Sequence, residues 1–176
     1  MDPDLPKGTE GLAGNGRGAA TRELTSKPAG KPVRKDEIVL DDRGLYVESW
    51  LPERRSRRRP LYYLHGELGG SWLWERYLRY FAQRGWEGHA LNLRAHFWSQ
   101  TADIEELDFD SYREDAVAGF VALERPAVVF GHGLGGLLSI MVAEGRELDA
   151  LILVSPAIPA PLRPVPPPHV VRLVPA

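Results

Sequence analysis

The segment "PAVVFGHGLGGLLSI", residues 126–140, constrains this chain more than any other stretch. An apolar run, a knot of glycines and a second apolar run read as a strand, a very sharp turn and a helix. Two chemistries use that layout. Gly131, Gly133 and Gly136 fit G-x-G-x-x-G, the turn that cradles a dinucleotide pyrophosphate. The same stretch fits a nucleophile elbow, G-x-S-x-G, with Gly133 standing where the serine belongs.

Context separates the two. A dinucleotide site needs an acidic residue about twenty positions further on, at the end of the next strand, to bind the ribose. Here that strand is "ALILVSP", which ends in Ser155 and Pro156 and has Asp149 at its opposite end. No nucleotide cofactor is expected, and dinucleotide binding stays a remote alternative.

The remaining segments alternate in the same way. "DEIVLDD" (36–42) and "LYVESWL" (45–51) flank Arg43-Gly44 and predict a β-hairpin. A run of five arginines within 54–59 reads as a solvated loop between Pro52 and Pro60. "LYYLHG" (61–66) is a strand. Ser71 is the expected N-cap of a helix to Arg84, closed by Gly85. "EGHALNL" (87–93) is a strand, and 111–125 a helix opening on the capping box Ser111-x-x-Glu114. Strand 127–130, helix 137–148 and strand 150–155 follow. Apolar strands alternating with helices indicate an α/β fold, with a parallel sheet covered on both faces and an antiparallel hairpin at one edge.

Composition sets the limits. Residues 1–35 mix glycine, proline and charge with few groups to bury, so a disordered tail is expected. Eight of the 21 positions from Pro156 to Ala176 are proline, and 158–176 reads as an extended proline-rich tail. The folded domain is thus placed at 36–157. A net charge of -2 gives no global pull toward nucleic acid, and there is no cysteine for disulfides or thiolate chemistry. No HExxH-like motif or carboxylate cluster suggests a metal. No stretch is long and apolar enough to span a bilayer and no secretory leader is evident, so the expected location is the cytoplasm.

From about Leu61 to Ala157 the chain resembles the α/β-hydrolase family, particularly its lysophospholipase and esterase-like branch. "YYLHGELGGSWLW" resembles that family's H-G-x-x-G-G turn. "LNLRAHFWS" is similar to D-x-R-G-H-G-x-S, with Asn92, Ala95 and Phe97 departing from it. "VVFGHGLGG" matches G-H-S-x-G-G in every position but the serine.

This resemblance implies the strand order 1-2-4-3-5-6 and an ancestry in serine ester or lipid hydrolysis. In that mechanism serine attacks a carbonyl, a carboxylate-oriented histidine takes its proton, and two backbone N–H groups hold the oxyanion. Carried onto this sequence, the nucleophile position is Gly133, and the oxyanion donors would be the N–H groups of Glu67 and Leu134. His65 and His132 match motif positions that are usually structural. The Glu67 side chain is expected to point to solvent, and His89 and His96 to be satisfied or superficial. Ser71 and Ser139 are poor substitutes for the missing serine. After Asp149 there is no Asp or Glu, and the sole later histidine is His169.

The expectation is therefore the N-terminal part of an α/β-hydrolase fold, without its last strands and lid, and without hydrolytic activity. The alternatives are a binding or scaffold protein, or an incomplete form of an active carboxylic-ester hydrolase. The expected ligand is an ester or lipid-like small molecule. A further expectation is that Ala150 to Ser155 forms an exposed apolar edge through which the chain self-associates.

Overall fold

The computed structural model describes residues 31–40, 43–54 and 57–159. The expectations for residues 1–30, for Arg55 and for the proline-rich segment from 160 onward, His169 included, lie outside the described residues.

Two β-strands, β1 (Val33–Leu40) and β2 (Leu45–Pro52), form the antiparallel hairpin foreseen around Gly44. β1 begins at Val33, because Val33, Arg34 and Lys35 pair with Pro52, Leu51 and Trp50. Four further strands follow: β3 (Leu61–Leu64), β4 (Gly88–Leu91), β5 (Val128–Gly133) and β6 (Ala150–Pro156). The six make one sheet in the order β1-β2-β4-β3-β5-β6. β4, β3, β5 and β6 run parallel, and β2 meets β4 antiparallel. This is the mixed sheet and strand order that the motifs implied.

Helices cover both faces. α1 (Glu75–Ala82) sends Leu78 and Ala82 into a core with Trp50, Leu61, Tyr63, Trp74 and Ala90. α2 (Phe109–Val121) and α3 (Leu134–Ala143) close the other face, where Tyr62, Leu64, Leu91, Val129, Leu138 and Val142 are buried. Neighbouring strand residues such as Tyr62 and Tyr63 thus enter opposite cores, as a two-sided sheet requires.

Three local expectations are corrected. Ser71 does not cap the first helix. It begins a short 3-10 turn, Ser71–Trp74, where its N–H donates to Asn92 Oδ1 (2.5 Å) and its hydroxyl to Glu48 Oε2 (3.0 Å). Burial with polar partners wins over the cap. Second, Asp108 rather than Ser111 caps α2, accepting from the Ser111 N–H at 2.8 Å. Third, α3 starts at Leu134 and ends at Ala143, three residues earlier than predicted at its start and five at its end. Gly133 makes the whole turn in one residue (φ +54°, ψ −124°), so the helix begins at once.

The two sheet edges differ. β1 carries Arg34–Asp36 and Lys35–Glu37 ion pairs, whereas Leu151 to Val154 of β6 are uncharged and 36 to 42% exposed.

Candidate functional site

Two sharp turns meet at the carboxyl ends of β3 and β5. The first runs from His65 to Gly70, closed by the Gly69 N–H donating to Gly66 O (3.0 Å). The second is the Gly131–Gly136 turn into α3. They approach so closely that a Cβ on Gly135 would lie 2.4 Å from the carbonyl oxygens of Leu64 and His65. No side chain fits there, which explains a glycine two places past the apex of the turn.

His65 is fully buried and braces the site. Its Nδ1 donates to Gly66 O (2.7 Å), and its Nε2 accepts from the Leu93 N–H (3.1 Å). Desolvation lowers its pKa to about 4, opposed by the Gly66 carbonyl and reinforced weakly by His96. The ring is therefore neutral at pH 7, and both of its nitrogens are used in holding backbone. His132 packs over Gly66, where an added Cβ would sit 2.9 Å from its Nδ1, a buried nitrogen with no partner among the described residues.

Gly133 and Leu134 stand together at the start of α3. The Leu134 N–H belongs to the first turn of that helix, whose N-terminal amides favour negative charge. Glu67 is exposed, as expected, and does more than face solvent. Its side chain also reaches across the turn, and a Cβ on Gly133 would lie 2.7 Å from its Oε2. The space a side chain at 133 would enter is occupied by a carboxylate.

The loop after β4 supports the first turn from behind. His96 is half-buried, with Nδ1 2.9 Å from Arg94 O and Nε2 2.8 Å from Glu67 O. Arg94 makes a forked pair with the fully buried Asp115, from Nε at 2.9 and 3.0 Å and from Nη2 at 2.6 Å. The Arg94 N–H adds a fourth bond at 2.9 Å. Sequence reasoning missed this pair, although an Asp beside Tyr112, Ala116 and Phe120 on an apolar helix face was the available signal. It also missed the buried Glu48, which accepts from Trp50 Nε1 (2.7 Å) as well as from Ser71.

The other candidates are structural. Ser139 is buried and donates to Gly135 O (2.6 Å). His89 faces Ser49 Oγ at 2.8 Å on β2, with burial lowering its pKa to about 4. Beside the elbow lies a cleft of about 200 Å³ lined by Leu73, Trp74, Tyr77, His132 and Val154. Among the described residues no group of histidines and carboxylates could hold a metal ion. None of their helices is long and apolar enough to cross a membrane.

Comparison with known proteins agrees with this geometry. Residues 61–176 match the alpha/beta hydrolase family. None of the curated proteins searched is a match. Among solved structures, a probable hydrolytic enzyme from Pseudomonas aeruginosa is 22% identical with a TM-score of 0.55, over 72% of this chain and 42% of that one. A predicted CIB-like hydrolase from Thermoplasma acidophilum is 20% identical with a TM-score of 0.61, over 76% and 67%. A mutant of an N-acyl homoserine lactonase is 25% identical with a TM-score of 0.55, over 68% and 44%. The chain thus spans less than half the length of two of these three.

Proposed function

The chain belongs to the alpha/beta hydrolase family, and we propose that it binds an ester- or lactone-like small molecule without hydrolysing it. One observation carries the reading: Gly133, at the elbow, has no side chain, and the Glu67 carboxylate fills the space beside it. The backbone donors of the hole, the N–H groups of Glu67 and Leu134, need no particular side chain and survive the loss of a serine. Removing a triad costs a rate factor of about 10⁶.

A relative supports separating binding from turnover. The lactonase mutant above carries a serine-to-glycine change and is complexed with N-hexanoyl homoserine lactone. The expected outcome here is similar. Incubated with that lactone, the native chain shows saturable binding, and mass spectrometry recovers the ring intact. Ring opening above the buffer rate contradicts the proposal.

A second reading has its own observation. The edge of β6 is apolar and uncharged, which favours pairing with a second copy of the chain. Size-exclusion chromatography with light scattering tests it: a dimer that dissociates on dilution is expected, and a monomer at every concentration contradicts it.

A further inference from the structure

The binding reading leaves the charge of the ligand open, and the surroundings of the elbow select it. We propose that the cleft beside Gly133 takes a small apolar ammonium ion, with Glu67 as its counter-ion; this rests on the binding reading above. The walls come from Leu73, Trp74, Tyr77, His132 and Val154, with no lysine or arginine among them. The Glu67 carboxylate is not a wall of the cleft but lies at the elbow, where a Cβ on Gly133, the residue after His132, would meet its Oε2 at 2.7 Å, and no ion pair ties it to a described cation. The nearby Arg94 is committed to Asp115.

Aromatic walls add to the preference. The rings of Trp74 and Tyr77 meet edge to face 5.7 Å apart, and Tyr77 is half exposed. Rings of this kind attract an ammonium while its alkyl groups displace water. Trp74 is 5% exposed, and its Nε1 donor has no partner among the described residues. A carboxylate or phosphate ligand meets the opposite situation, because Glu67 repels it at the one place where the helix would otherwise welcome an anion.

The test compares three probes of similar size by tryptophan fluorescence and saturation-transfer NMR: benzyltrimethylammonium, methyl phenylacetate and phenylacetate. The expected order is cation over neutral ester by about tenfold, with the anion weakest. In Glu67→Gln, an exposed and nearly isosteric change, the preference for the cation over methyl phenylacetate disappears. Phenylacetate binding as well as the cation overturns the proposal, as does a preference unchanged in the glutamine variant. Binding of the neutral ester without any charge preference overturns this proposal and leaves the binding reading standing. If none of the three binds, both fail.

Discussion

The elbow at Gly133 and the loop after β4 place the same demand on the backbone and answer it in opposite ways. Both need left-handed residues. At the elbow, φ is +54° and the residue is glycine. In the loop, φ is +59° at Ala95 and +49° at Phe97, the two positions where the resembling D-x-R-G-H-G-x-S pattern has glycine. The elbow carries no side chain and is relaxed, whereas the loop carries two and is strained by about 1–2 kcal/mol at each. Such strain persists only where the surroundings over-determine the conformation. Here Arg94–Asp115 anchors the loop, His96 bridges to Glu67, and the Ala95 N–H donates to Gln100 O (2.8 Å).

The largest effect is expected from removing the anchor of the strained loop. Asp115→Ala leaves the Arg94 guanidinium without its buried partner and should cost about 3–5 kcal/mol in chemical denaturation. A loss under about 1 kcal/mol would mean that the loop is held elsewhere. Gly135→Ala comes next, at about 3 kcal/mol or more, because backbone oxygens at 2.4 Å cannot move aside cheaply. Gly133→Ser should be milder, about 1–3 kcal/mol, from a left-handed serine and its contact with the flexible Glu67 side chain. Smallest is Ala95→Gly, which should stabilise by about 0.5–1 kcal/mol once the greater freedom of unfolded glycine offsets part of the relief. A destabilised Ala95→Gly would break the comparison.

Acid should loosen the brace between the two regions. His65 has a folded pKa near 4 against an ordinary value of 6.5, so protons bind the unfolded chain more readily. Its contribution is fully present above about pH 6.5 and is lost as pH falls toward 4, with a slope of up to about 1.4 kcal/mol per pH unit. His65→Gln should flatten that part of a stability–pH curve.

Much of this architecture is legible in the sequence. Two-sided cover follows from the apolar runs "LYYLHG", "EGHALNL", "AVVF" and "ALILVS", while the strand order comes from the resemblance to the α/β-hydrolase family. The backbone part of the site is legible too, since glycines at 131, 133 and 135 report turns and close approach directly. What sequence does not encode locally is the direction of an exposed side chain. Glu67 was expected to point simply to solvent, and its reach over Gly133 depends on how two distant turns meet. Ser71 has the residue type of a cap, but the buried Glu48 and Asn92 outbid a local hydrogen bond. Asp115 signals itself only as a charge on an apolar face, and its partner twenty-one residues away emerges in three dimensions.

The central claim is that Gly133 leaves the elbow without a nucleophile and that no other described residue takes that place. Hydrolysis of a short p-nitrophenyl ester, followed for the native chain beside Gly133→Ser, tests it most directly. We expect both to match the buffer rate, because no described histidine is hydrogen-bonded to a carboxylate as the base of a triad requires. Turnover by the native chain, or its appearance in the serine variant, would contradict the account.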